Sequence, residues 1–190
     1  YKNLYSFDIF DTLISRKVLA PEGIFYYVQE KMKFYTDMYP SYLIENFPQI
    51  RANAEANMRE YYNRSIVERD DERCEISFEE IYRRIQTVYD ISDEAMHKLM
   101  EWEMECELDN VIPLYAQINT VKELVKNDET VVLISDMYLP KEFIQKMLAK
   151  ADPLLATIPL FLSSELGYQK SRKSLYLEVY RQYGTEYNFG

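Results

Sequence analysis

The chain has 190 residues, of which 47% are apolar and 28% charged, with only 4 Gly and 7 Pro, so it can bury a core and is neither collagenous nor of low complexity. A formal charge of −10 without a Lys/Arg stripe opposes binding to a polyanionic backbone, so nucleic acid is not expected as a partner. Cys74, Cys106 and His97 are too few to build a zinc cluster, and the apolar runs fall far short of the roughly 20 residues of a membrane helix. The expectation is a single core domain with a modest insertion, in a reduced cytoplasmic setting, with no membrane contact. Tyr1 is not followed by a charged-then-apolar leader, so no signal peptide is expected.

In chain order, Leu4-Tyr5-Ser6-Phe7 is a short aromatic-rich run that ends on polar Asp8, which predicts a buried strand delivering Asp8 to its C-terminal edge. From Pro21 to about Asn127 the periodicity is helical. Pro21 and Pro48 stand like first-turn prolines, and Ser77 with Glu80 forms a capping box ahead of Ile81, Ile85 and Val88 on one face. A further helix starts near Ser92 and runs past Trp102. It carries His97, which lies far from the polar residues that end the strands and is expected to play no catalytic part.

After Pro113 a helix carries Ile118, Val121, Leu124 and Val125 toward Asn127. Val131-Val132-Leu133-Ile134 is then an uninterrupted buried strand ending on Ser135. A helix over about Pro140–Lys150, a third apolar run at Ile158–Leu162, a loop to Lys170 and a helix over about Ser171–Tyr183 complete the pattern. Strands alternating with helices imply an α/β fold with a Rossmann-like parallel sheet, and the long helical segment between the first two strands reads as an insertion rather than a separate linked domain.

Asp8, Ser135 and Lys170 each follow one of the three predicted strands, and ligands of open α/β sheets bind at that edge. A carboxylate, a hydroxyl and an ammonium gathered there would attack, hydrogen-bond and neutralise a phosphoryl group. Asp11 is expected to cap the turn after Asp8. Asp136 either contacts metal or substrate or bonds nearby backbone. The tyrosines at Tyr26-Tyr27, Tyr35, Tyr39, Tyr42 and Tyr61-Tyr62 are expected to pack within the cap.

Phe7-Asp8-Ile9-Phe10-Asp11-Thr12-Leu13 resembles the first motif of the haloacid dehalogenase superfamily, and Val131-Val132-Leu133-Ile134-Ser135 resembles the second. Lys170, followed by Ser171 where the family often has Pro, and Tyr176 resemble the third. Asp136-Met137-Tyr138-Leu139-Pro140 looks like a subgroup found beside or fused to bacterial glycosyltransferases. The resemblance spans nearly the whole chain. It implies a core of residues 1–13 and 128–190 bearing an all-helical cap, residues 14–127, that closes over the substrate, and a Mg²⁺-dependent phosphatase of a small phosphorylated metabolite such as a sugar phosphate. By the same resemblance Asp8 is the nucleophile and a metal ligand, the Phe10 carbonyl a second ligand and Asp136 a further candidate. Ser135 and Lys170 would hold the phosphoryl oxygens, and Thr12 would fix the loop and help bind substrate.

Two departures bear on activity. Phe10 stands where the family's phosphatases have a second Asp that protonates the leaving group, and the acidic pair of the fourth motif, which would complete the Mg²⁺ site, is not present in the sequence, the strand expected to lead to it beginning only near Asn188-Phe189-Gly190. Two other readings stay open: a 2-haloacid dehalogenase, whose halide needs no proton, and a non-catalytic module binding a phosphosugar or a glycosyltransferase.

Overall fold

The computed structural model describes residues 2–18, 20, 22–69, 75–166, 174–184 and 187–189. The chain divides into two compact units, Tyr1–Ser15 with Glu72–Glu75 and Val111–Gly190, and Arg16–Asp71 with Ile76–Asn110. The sequence expectation drew these divisions at 13/14 and 127/128. In the structure Val111–Asn127 belongs with the sheet, because the helix it forms, α5 (Tyr115–Lys126), packs on a strand of that sheet through buried Ile118 and Val121.

The first unit is built on β1 (Lys2–Phe7), β4 (Thr130–Ser135), β5 (Leu160–Leu162) and β6 (Tyr187–Phe189), all parallel and ordered β5-β4-β1-β6. Every residue of β4 from Val131 to Ser135 is buried, as an uninterrupted apolar run requires. On one face Leu4, Val132, Ile134 and Phe161 pack with Leu175 and Val179 of α8 (Ser174–Tyr183). The alternate residues Val131 and Leu133 point to the other face. A Schellman turn sets the entry to β4: Asp128 adopts φ 58, its N–H donates to the Val125 carbonyl at 3.1 Å, and Glu129 N–H donates to the Leu124 carbonyl at 3.0 Å. A two-stranded sheet of β2 (Ile14–Arg16) and β3 (Val111–Pro113), which the sequence pattern did not reveal, lies where the chain passes into and out of the helical insertion.

The second unit is all helical: α1 (Gly23–Met32), α2 (Ser41–Arg69), α3 (Phe78–Tyr89) and α4 (Asp93–Asp109). Both α1 and α3 pack on α2 and on α4. The capping box is present, with Ser77 Oγ accepting Glu80 N–H at 3.2 Å and Ser77 N–H donating to Glu80 Oε2 at 2.7 Å. The buried face of α3 is Phe78, Ile81, Tyr82 and Ile85, while Val88 is exposed. Pro21 lies outside the described residues. Pro48 is not a first-turn proline, because α2 begins at Ser41 and carries it inside. A proline there deprives the Ile44 carbonyl of its helical donor. Gln29 of α1 supplies the replacement: its Nε2 donates to the Ile44 carbonyl at 2.8 Å and to the Glu45 carbonyl at 2.9 Å.

At the centre of the helical unit lies an arginine without solvent exposure. Arg51 donates through Nε and Nη2 to both oxygens of buried Glu103, each at 2.8 Å, and through Nη1 to Glu55 at 3.2 Å. Its guanidinium carbon lies 4.7 Å from the Phe25 ring centroid and 5.4 Å from that of Tyr82, whose hydroxyl donates to Glu103. Bidentate pairing meets the directional needs of both ions, so the core tolerates them, but neither can lose its partner cheaply. Glu103→Ala should therefore destabilise the protein by about 3–5 kcal/mol in urea unfolding, while the apolar pair Arg51→Met with Glu103→Leu should recover most of that loss. A loss below about 1 kcal/mol for Glu103→Ala would show that the pair is solvated like a surface ion pair.

Candidate functional site

Asp8 leaves β1 directly after Phe7 and is exposed, with its Oδ1 accepting Ile9 N–H at 2.8 Å. The chain then folds back on itself. The Ile9 carbonyl accepts the N–H groups of Leu13 at 2.8 Å and Ile14 at 3.1 Å, and Asp11 N–H donates to the Ile14 carbonyl at 2.7 Å. Ile9, Leu13 and Ile14 are fully buried and plug the turn into the core. Asp11 occupies the left-handed region at φ 57 and accepts Ser15 Oγ at 3.0 Å, which is the turn-capping arrangement. Thr12 is half-buried, and its N–H reaches the Ile9 carbonyl at 3.4 Å. Phe10 is half-buried and forms an isolated bridge with Ile14.

Pairing of Phe7 with Leu133 brings Asp8 beside Ile134, one residue short of Ser135, so that Asp8 and Ser135 both stand at the C-terminal edge of adjacent strands. Ser135 is buried and is the last residue of β4, paired with Leu162 of β5; exposed Asp136 follows it. The structure thus brings Asp8, Phe10, Thr12, Ser135 and Asp136 to the C-terminal ends of two neighbouring strands. Lys170 and Ser171 lie outside the described residues.

The segment after Ser135, which leads into α6 (Lys141–Ala151), is held by residues that the sequence reading passed over. Three consecutive residues at the start of α7 (Ser163–Leu166) clip it at alternate positions. Fully buried Ser163 accepts Met137 N–H on its Oγ at 2.9 Å, Ser164 Oγ donates to the Leu139 carbonyl at 3.2 Å, and Glu165 pairs with Lys141 at 2.9 Å. Met137, Tyr138 and Leu139, which lie between these contacts, are buried. The available signal was position: Ser163 follows β5 as Asp8 follows β1.

For a cation, the donors at this edge are hard oxygens: the Asp8 and Asp136 carboxylates and the Phe10 carbonyl. Among the described residues no three Asp, Glu, His or Cys side chains gather into a metal-holding group. This donor set fits Mg²⁺, which keeps water and substrate oxygens around one or two carboxylates, better than an ion that needs an all-protein cage.

In the helical unit, burial and the Glu103 charge hold the Tyr82 phenol far above its usual range, and burial pushes the Cys106 thiol up to about 11, aided by Glu107 and Asp109. Burial also raises the Glu107 carboxyl, opposed by its two-point pairing with Arg16 at 2.7 and 3.0 Å. A thiol held protonated and carboxylates locked to arginines are packing elements rather than activated nucleophiles.

No family model matches the chain, and no curated protein matches it. Among solved structures, one described as the crystal structure of a dehalogenase matches with a TM-score of 0.50 at 13% identity, over 99% of this chain and 75% of that one. The likeness is one of fold. It accords with the observed architecture, an α/β chain with a Rossmann-like parallel sheet and an all-helical insertion after the first strand. Among the described residues no helix is long and apolar enough to cross a membrane.

The turn at Asp11 can be checked by stability. Glycine adopts φ near +57 without penalty, whereas a Cβ-bearing residue lacking a local hydrogen bond does not. Asp11→Ala should be less stable than Asp11→Gly by about 1–2 kcal/mol in urea unfolding. Equal stabilities would place Asp11 in an ordinary right-handed turn.

Proposed function

We propose that the chain is a hydrolase of the haloacid dehalogenase superfamily that cleaves a small phosphoester of the sugar-phosphate class through a covalent aspartyl-phosphate on Asp8. The observation that carries this reading is the placement of Asp8 and Ser135 at the same edge of adjacent parallel strands, where α/β sheets bind ligands. The motif at Phe7–Leu13 and the fold likeness support the superfamily. The Asp136–Pro140 segment, which resembles that of proteins associated with glycosyltransferases, supports a sugar phosphate as substrate and a glycosyltransferase as partner.

In this mechanism an Asp8 carboxylate oxygen attacks phosphorus, and the bond from phosphorus to the ester oxygen breaks. The leaving alkoxide takes a proton from water, because Phe10 has none to give. Water then attacks the phosphorus of the aspartyl-phosphate, releasing inorganic phosphate and restoring the carboxylate. Ser135 Oγ donates to a phosphoryl oxygen and Lys170 offsets its charge. Mg²⁺ held by Asp8, the Phe10 carbonyl and Asp136 would supply positive charge to the phosphoryl oxygens.

Phe10 also favours a second reading, displacement of halide from carbon by Asp8, since that leaving group needs no proton. Chloride release from a 2-chloro acid without phosphate release from esters would establish it in place of the first.

If Phe10 leaves the departing alcohol unassisted, aryl phosphates should be cleaved faster than sugar phosphates. Phe10→Asp should then raise sugar-phosphate turnover by about 10²–10⁴-fold and aryl-phosphate turnover much less, with Asp8→Asn inactive on both at unchanged circular dichroism. Equal effects of Phe10→Asp on both substrates would mean that another group already delivers the proton, and turnover by Asp8→Asn would exclude the covalent route.

A further inference from the structure

We infer that Ser163 is a positioning residue for the phosphoryl site, an inference that rests on the hydrolase reading above. β4 and β5 pair through Leu133, Ile134 and Ser135 against Leu160, Phe161 and Leu162, and the ladder ends there. Beyond it the chain after β4 must turn while Ser135 stays fixed. The side chains of Ser163, Ser164 and Glu165 take over from the backbone, holding Met137 N–H, the Leu139 carbonyl and Lys141 in turn. Of the three, only Ser163 is fully buried, and its bond is the nearest to Ser135 and Asp136.

A hydroxyl that accepts a backbone N–H two residues past Ser135 fixes the direction in which the chain leaves β4. With it are fixed the rotamer available to Ser135 and the position of Asp136. Ser163 itself points at the Met137 amide and not at a substrate, so it acts through its neighbours. Losing it leaves a buried N–H without an acceptor, and the loop must shift to find another. Shifts of about 1 Å in a positioned group cost up to about 10²-fold in rate, because the transition state tolerates misalignment less than the bound substrate does. The effect therefore belongs in kcat rather than in KM.

The test measures kcat and KM of the full chain on an aryl phosphate with Mg²⁺ for wild type, Ser163→Ala and Ser163→Thr, with rates expressed per folded molecule from parallel unfolding curves. Ser163→Ala should lower kcat by about 10–10²-fold with KM changed less than about threefold, and Ser163→Thr, which keeps the acceptor, should recover most of the loss. Wild-type kcat per folded molecule in Ser163→Ala, or a Thr variant as impaired as the Ala variant, would overturn the inference while leaving the hydrolase reading intact. If Ser163→Ala does not fold, Ser163→Cys, which nearly keeps the volume but offers only a weak acceptor to Met137 N–H, is read instead. A several-fold fall in its kcat at constant KM supports the inference, and an unchanged kcat overturns it. Absence of any phosphate release or halide release by wild type would overturn the hydrolase reading, and this inference with it.

Discussion

Everything at the candidate site depends on the parallel register between β1 and β4. Leu4 to Phe7 lie against Thr130 to Leu133, so two segments separated by the whole helical insertion end side by side. A slip of one residue would turn Val132 and Ile134 away from Leu4, Leu175 and Val179, and would expose a face that is now buried. The register is thus held by core packing rather than by the site. Asp8 and Ser135 inherit their shared edge from apolar residues that take no part in the proposed chemistry.

Polar devices then complete what the strands begin. After β1 the Ile9 carbonyl gathers the turn and Asp11 caps it; after β4 the Ser163–Glu165 clip does the same for the segment from Met137 to Lys141. Both edges end in hydrogen-bonded loops with buried apolar anchors, Ile9 and Leu13 on one side and Met137 and Leu139 on the other. Loops tied in this way suit the proposed reaction, whose demand is placement of charge more than covalent complexity. The helical unit follows the same economy in a different setting, with Gln29 serving the carbonyl orphaned by Pro48 and Glu103 serving buried Arg51.

Where an element is stabilised by local periodicity, it could be read from the chain. The β4 run, the Ser77–Glu80 capping box and the positions of Asp8 and Ser135 at strand ends were all legible because period, cap and polarity are neighbours in sequence. What escaped depended on partners far along the chain. Nothing near Pro48 announces Gln29, nothing near Arg51 announces Glu103, and Ser163 gains its meaning only once β5 lies beside β4. The end of the insertion was misplaced for the same reason: Tyr115–Lys126 is helical like the segment before it, and only its packing on β4 assigns it to the sheet. Val88 shows the limit of periodicity itself, since it lies one turn beyond Ile85 yet is exposed where Tyr82 fills the core.

The nucleophile is the central claim, and acid-quenching the protein during turnover of a phosphoester with Mg²⁺ reaches it most directly. Peptide mass spectrometry of the quenched sample should find a phosphoryl increment on the peptide containing Asp8, lost on treatment with hydroxylamine as an acyl phosphate is. Steady release of phosphate with the increment on a different residue, or with none while a burst of alcohol shows that an intermediate accumulates, would contradict the assignment of Asp8.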